Sequence, residues 1–429
     1  MKLPDDHPQR IELNDEVHAR PPEPLVAPSR LSYLALLCDA AQRDLGWLAV
    51  CDLCHRYGVE PPAESGLHFT AELGPFRLKW ERHTEFIRYM FIVEGTTGDP
   101  FERPAITVLP EDWVAALPGQ VMVAAHAALI PADPATLDPN AIGRKWFAGN
   151  VPVGAAISDG AATALTDLRV HADGFSRHLL LDHRTTPWQA GRVVQRLLEI
   201  DTYRIMALLA LPVARAVGPL LAASERELAR ITASLVTAEE ASEPALLNSL
   251  TRLEAEIEHQ ESQTRYRFAA ADAYYELMQR RIDELREQRI QGLQTFREFT
   301  ERRLAPAMST CRSVAARQES LSQRVARATR LLSTRVDLTT ERQNQALLES
   351  MNRRARLQLR LQSTVEGLSV AAVTYYVSAL VGHAAEALRT AGVHVEPDLA
   401  TGISIPVVAV AAWFGIHHIR KIVTRPSEG

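Results

Sequence analysis

The chain has 429 residues, of which 46% are hydrophobic and 23% charged, with a formal net charge of −5. Its mean hydropathy of −0.10 is that of a soluble globular protein, so any membrane portion is a minor part, and the length predicts two or three structural units. Four cysteines, Cys38, Cys51, Cys54 and Cys311, are too few and too unevenly placed for a disulfide framework,.

Residues 1–28 hold six prolines and little apolar content. They predict an irregular, acidic N-terminal arm, and with no apolar core they do not read as a secretory signal peptide. From Leu31 to about Tyr57 the spacing of Leu31, Leu34, Leu37, Leu45, Leu48 and Leu53 predicts one amphipathic helix, ended by Gly58 and Pro61-Pro62,. Within it Cys51-Asp52-Leu53-Cys54-His55 matches the C-x-x-C-H haem-attachment pattern. The helical context and the unexported body favour buried structural thiols instead, and no cofactor is expected.

Strand-like runs follow at 67–73, 76–80, 86–93, 121–130, 151–157, 165–171 and 178–182. With short turns and no helices expected between them, they predict a mainly antiparallel sheet, the core of an α+β domain over 29–185. After Pro187 the pattern turns helical. A strongly apolar helix (Val193, Val194, Leu197, Leu198, Met206) should kink or end at Pro212,. The next prolines, Pro219, Pro244 and Pro306, read as first-turn residues of three long helices at roughly 220–242, 245–303 and 307–388,. The domain plan is thus a helical region over 186–306 and a stalk over 307–366.

The stalk is basic. Between Arg297 and Arg360 lie 14 arginines, no lysine and 6 acidic residues, a net +8 that leaves −13 elsewhere. No base-reading motif accompanies it, so a lipid surface is expected as its neighbour and nucleic acid is not. Leu321, Val325, Ala328 and Leu332 give an apolar 4-3-4 spacing that Arg335 and Thr339 interrupt, which predicts a coiled-coil-like antiparallel helical hairpin or an oligomeric stalk,.

Two uncharged apolar segments close the chain, 367–385 and 399–416. As helices each would span ~27–29 Å, close to a bilayer core of ~30 Å. Arg353, Arg354, Arg356 and Arg360 precede the pair, and Arg420, Lys421 and Arg425 follow it. By the positive-inside rule this predicts a two-helix transmembrane hairpin over 367–419 in the inner membrane, a basic tail over 420–429, and both termini cytoplasmic. Tyr375 and Tyr376 fall near the middle of the first span, beside Ser369, Thr374 and Ser378, and mid-bilayer hydroxyls need partners across a helix interface or along a wet path,. Ser378/Gly382 and Ala411/Gly415 are small-residue pairs suited to close helix contact,.

The densest polar cluster in the sheet region is Trp80-Glu81-Arg82-His83-Thr84-Glu85. If it is a strand, Glu81, His83 and Glu85 share a face able to bind a metal or exchange protons; otherwise the cluster with Arg82 is a salt-bridged solvent face or a turn. His171, Asp173, His178, Asp182 and His183 would join it only if their strands are neighbours. Nucleophile elbows, P-loops, dinucleotide fingerprints and H-E-x-x-H are absent, so an ordinary enzyme and a resident metal are not expected,.

Four blocks, LNDEVHARPP (from Leu13), LKWERHTEF (from Leu78), QRLLEIDTYRIMALLALP (from Gln195) and NQALLESMNRRARLQLRLQSTVEGLSVAAVTYY (from Asn344), resemble a bacterial family known as domain of unknown function 3422. The resemblance runs from arm to membrane segment; it implies membrane anchorage and supplies no catalytic residues. The overall plan of body, stalk, two C-terminal apolar helices and basic tail also looks like the CorA-type cation transporters. Their Gly-Met-Asn triplet is missing, however, and the link here reads HAAEALRTAGVHVEPDL. The expected function is therefore a membrane-anchored, homo-oligomeric scaffold that binds a protein partner, with a CorA-like channel as the alternative and a metal-dependent enzyme third.

Overall fold

A computed structural model describes residues 6–11, 13–14, 21–64, 66–96, 98–237, 240–392 and 394–423 of this α+β protein. Most of the expected tail over 420–429 and part of the arm lie outside the described residues. The chain divides into two compact units, one over Met1–Thr237 and Asn248–Thr329 and the other over Ala238–Leu247 and Arg330–Gly429.

The first unit is built on an eight-stranded sheet, and its central strand corrects the sequence reading. The run predicted to open a helix at Leu31 is strand β1 (Ser29–Leu37), buried on both faces, so its leucines carry no two-residue alternation,. The helix begins only after Asp39, whose carboxylate accepts the N–H of Gln42 while Gln42 bonds back to the cap,. This α1 (Ala40–Tyr57) ends on Gly58 in the left-handed region at φ 67,. The remaining strands are β2 (His68–Glu72), β3 (Arg77–Arg82), β4 (Phe86–Glu94), β5 (Gln120–Pro131), β6 (Val153–Ile157), β7 (Ala162–Thr166) and β8 (Ser176–Asp182). Their order is β2-β3-β4-β1-β5-β8-β7-β6, and only the β5–β8 pair is parallel.

Strand β7 ends at Thr166 rather than running to His171, because the turn at Ser158, Asp159 and Gly160, all at positive φ, brings the chain back early,. Two short helices, α2 (Glu111–Ala115) and α3 (Pro139–Trp146), also interrupt the strand series where none was expected. Period-two alternation sorts β3 and β4 between two buried faces. Leu78, Trp80, Tyr89 and Phe91 pack in one apolar cluster with Val50, Leu53 and Cys54 of α1. Burial there pushes the Cys54 thiol up to about 11, in keeping with a structural thiol,.

The opposite face is covered by α4 (Pro187–Leu208), started by the Thr186/Gln189 capping box with Pro187 in its first turn. The chain then breaks at Leu209 and continues as α5 (Ala210–Thr237), α6 (Glu243–Leu285), α7 (Phe296–Arg303), α8 (Ala305–Thr390) and α9 (Pro397–Val423). Pro219 lies inside α5 and not in a first turn. The single helix expected over 245–303 is divided because Arg286 (φ 53) and Gly292 (φ 85) turn the chain. The segment between α6 and α7 pairs with the sheet edge, Gln288 with Ala156 and the Gln294 carbonyl with the Gly154 N–H, so β6 is not left open,.

In α5 the buried residues Ala210, Ala214, Val217, Leu221, Ser224, Leu228 and Ile231 recur in steps of four and three,. Met308, Cys311, Val314, Gln318, Leu321 and Val325 are the buried positions on the early part of α8. Thr264 bonds Gln318 at 3.2 Å and Asp272 pairs with Arg312 at 2.6 Å, so α6 and α8 run antiparallel there. Arg317 reaches Glu225 of α5 at 2.7 Å. Over this first part of the predicted stalk, α8 therefore packs within the first unit.

Candidate functional site

Lys79, Glu81 and Arg88 point from β3 and β4 toward α4, and all three are buried. An unpaired charge there would be strongly unfavourable, so the sequence must supply partners. Both Nε and Nη2 of Arg88 donate to Glu81, and its Nη1 lies 3.1 Å from Glu199 of α4. Lys79 Nζ lies 3.2 Å from Glu81, donates to Gln195 at 3.2 Å and donates to the Pro21 carbonyl of the arm. Arg281 of α6 reaches the second oxygen of Glu199 at 2.5 Å, and also pairs with Glu284, which Arg196 holds at 2.9 Å. One connected array thus ties the arm, the sheet, α4 and α6 together.

The electrostatics follow from that array. Burial raises the Glu81 carboxyl, but Arg88 first, then His83 and Lys79, outweigh it and hold the group down at about 2,. Burial works against Glu199 in the same way, and Arg88 and Arg281 keep it below the usual carboxylate range. Farther along α4, Asp201 accepts from Ser176 at 2.9 Å and lies 3.3 Å from His178 of β8. Burial opposes its ionisation, but Arg204 and His178 lower it.

The predicted cluster is split by this arrangement. Strand β3 stops at Arg82, so Glu81, His83 and Glu85 do not share a strand face. His83 sits in the turn 3.4 Å from Glu81 and stacks on Phe86. Glu85 faces α6 instead, accepting from Tyr274 at 2.9 Å and pairing with Arg267, while Arg82 turns to Asp44 at 3.7 Å. His171, His178 and His183 lie on or beside β7 and β8, separated from β3 by β4, β1 and β5; His171 pairs with Asp167 at 3.1 Å. No group of three or more metal-ligating side chains occurs among the described residues.

Arg88, Glu199 and Arg281, with Lys79, Gln195, Arg196 and Glu284 around them, are members that sequence reading missed. The available signal was a lone arginine in the apolar run FIRYMFIV and two acids inside the apolar helix RLLEIDTYRIM. Glu81 itself is buried, not on a solvent face, because helices cover the sheet on both sides.

A second buried titratable group lies on β5. His126 stacks on Phe175 with ring centroids 3.9 Å apart and sits 2.9 Å from the Ser32 hydroxyl. That hydroxyl accepts the Ile106 N–H, which leaves its proton for Nδ1 of a neutral ring,. Burial lowers the imidazole to about 4. The unfolded chain then takes up the proton first, near pH 6.5, so stability is constant above that pH and lost as pH falls to about 4, by about 3 kcal/mol. Replacing His126 with Phe should flatten that part of the stability-versus-pH curve in chemical denaturation; an unchanged slope would remove His126 as its source.

In the second unit, α8 and α9 carry the predicted polar residues of the apolar segments. Ser369 and Thr374 donate to carbonyls one turn back, of Val365 and Val370. Tyr375 and Tyr376 are exposed and meet edge to face. Ser378 is buried, and its hydroxyl has no hydrogen-bond partner among the described residues. Gly382 allows close approach, since a Cβ there would stand 2.7 Å from the Thr401 hydroxyl, whereas a Cβ at Gly415 would meet no atom of the described residues within 4 Å.

By length and composition three helical stretches, Pro187–Thr237, Ala305–Thr390 and Pro397–His418, are apolar enough to cross a membrane. The first of them, α4 with α5, went unrecognised as such in the sequence.

Residues 5–423 match the model of a family described as protein of unknown function, DUF3422. The chain belongs to that family. A search of curated proteins gives no match, and the likeness to CorA-type transporters finds no support in these comparisons. Three of the four blocks that suggested the family meet at the charge array, through Pro21, through Lys79, Glu81 and His83, and through Gln195 and Glu199.

Proposed function

We propose that this family member is a membrane-anchored scaffold that assembles with copies of itself and presents the α+β unit to a cytoplasmic partner. The observation that carries this reading is the difference in burial among the three apolar stretches. One third (33%) of the apolar window in Pro187–Thr237 is buried, against 11% in Ala305–Thr390 and 0% in Pro397–His418. The first stretch therefore serves as a core helix, and the last two form a hairpin in lipid, which satisfies their backbone internally and accepts their apolar side chains. The arginines before α8's apolar end and Arg420 and Lys421 after the second segment orient both termini to the cytoplasm, at the inner membrane,.

Self-assembly is supported by α8 itself. Every residue from 341 to 365 is exposed, including Leu347, Leu348, Met351, Leu357, Leu361 and Val365. Helices are stabilised in proteins mainly by burying an apolar face, so this stretch calls for a covering partner. The groove between α8 and α9 is lined chiefly by apolar side chains such as Val370, Ala371, Ile405 and Ala409, which suits helix packing better than a hydrated ion path,.

Full-length protein should remain in the membrane pellet after a high-salt wash, and a chain lacking residues 367–429 should move to the supernatant. The detergent-solubilised full chain should have a mass that is a multiple of one copy. A truncated chain that still sediments would refute the hairpin as sole anchor, and a monomeric mass would refute self-assembly.

A further inference from the structure

The concave face between α4 and α6 gathers arginines beyond what their acidic neighbours balance. A cavity of about 450 Å³ is lined by Arg192 and Arg196 of α4, Arg280 of α6 and Arg286, with Gln189 and Ser158 at its edge. The acids within it are already engaged. Glu284 is shared between Arg196 and Arg281, and Asp283 pairs with Arg297. Arg286 reaches out to Asp159 at 2.8 Å. Arg192 and Arg280 have no ion-pair or side-chain hydrogen-bond partner among the described residues. Four arginines against two acids leave the cavity lining with a net positive charge, which the Arg196–Glu284 and Arg286–Asp159 pairs offset only in part,.

The cavity's edge is held in place by unusual backbone. Ser158, Asp159 and Arg286 are non-glycine residues at positive φ (52, 59 and 53), and such conformations persist only where the surroundings fix them. Here the Ser158 N–H donates to the Leu285 carbonyl at 3.0 Å, next to the Arg286–Asp159 pair. A smaller cavity lined by Pro22, Gln195 and Glu199 shares Arg192, Arg196 and Glu284 with this one, so the arginine cleft continues into the buried charge array.

We propose that this cleft binds a phosphate-bearing anion, with Arg192 and Arg280 as its principal ligands and Gln189 and Ser158 as neutral donors. Guanidinium forks match phosphate oxygens in pairs, and Arg192 and Arg280, exposed on the cleft and engaged by no side chain of the described residues, are free to close on an anion of two charges,. The occupant is taken to be a soluble phosphate ester or polyphosphate; a lipid headgroup presents the same chemistry.

The test is calorimetric titration of inorganic phosphate and of pyrophosphate into the detergent-solubilised full chain at low salt. Saturable binding is expected, weakened at least about tenfold in the Arg192→Gln/Arg280→Gln double variant and unchanged in Arg302→Gln, an exposed arginine outside the cleft,. Because both side chains are unpartnered, the double variant should melt at the wild-type temperature, which separates lost binding from lost folding. Absence of saturable binding by either anion, or wild-type affinity in the double variant, overturns the proposal. Repeating the titration in nanodiscs assigns the source. Pyrophosphate binding blocked by phosphatidate, but not by phosphatidylcholine alone, identifies a lipid headgroup as occupant, and binding that survives phosphatidate identifies a soluble one.

Discussion

Replacing Arg88 with leucine is expected to destabilise the first unit by about 3–5 kcal/mol at neutral pH, the cost of leaving buried carboxylates without their cation. Glu81 would keep only Lys79 and His83, and Glu199 only Arg281 and the Gln195 amide. Fluorescence-monitored urea unfolding of the full chain in detergent reports it, since Trp80 is fully buried in β3. The pH dependence supplies a second reading. In the wild-type chain the Glu81 carboxyl is held at about 2, below its ordinary value of 4.5. Its contribution is therefore complete above pH 4.5 and lost as pH falls through 2,. Without Arg88 the carboxyls protonate more readily, so the deficit of the variant should be largest near neutrality and shrink in acid. A deficit below about 1 kcal/mol would mean that the charges are solvated as surface pairs are.

Gly191→Ala should destabilise the chain by about 2 kcal/mol even though alanine is the better helix former by about 1 kcal/mol. Gly191 lies in the first half of α4, where a Cβ would stand 1.7 Å from the backbone carbonyl oxygen of Glu23. That is backbone and cannot rotate away, so the arm must shift. The arm is otherwise held by Leu25, which is buried and whose N–H donates to the Pro187 carbonyl at 3.0 Å. Glu23 accepts from Thr70 at 2.9 Å, and Pro21 accepts from Lys79. Displacing the arm therefore also loosens the charge array. Limited proteolysis should show faster cleavage near residues 21–25 together with a lower melting temperature. A variant more stable than wild type would mean that the arm does not pack on α4 in solution.

These two variants mark where sequence reasoning reached its limit. Alternation in β3 and β4 was legible, and so were seven strands of the eight. The meaning of the polar positions was not, since a Lys or Glu every second residue looks the same facing water as facing a covering helix. That α4 covers this face, with Glu199 and Asp201 set among its leucines, is a long-range fact. The leucine-rich β1 illustrates the same limit. Buried on both faces, it lost the period of two and took on the look of a helix,.

The chain by itself determined the α+β class, the change to helix at Pro187, the long α8 with no proline after Pro306 and the two apolar C-terminal segments, because composition, capping and length act locally,. Only the tertiary structure decided which charges are buried together, that Glu85 turns away from Glu81, and that Arg192 and Arg280 meet in one cleft. Pairing of charges depends on distances between segments far apart in sequence, and those distances are set by how the sheet and helices pack.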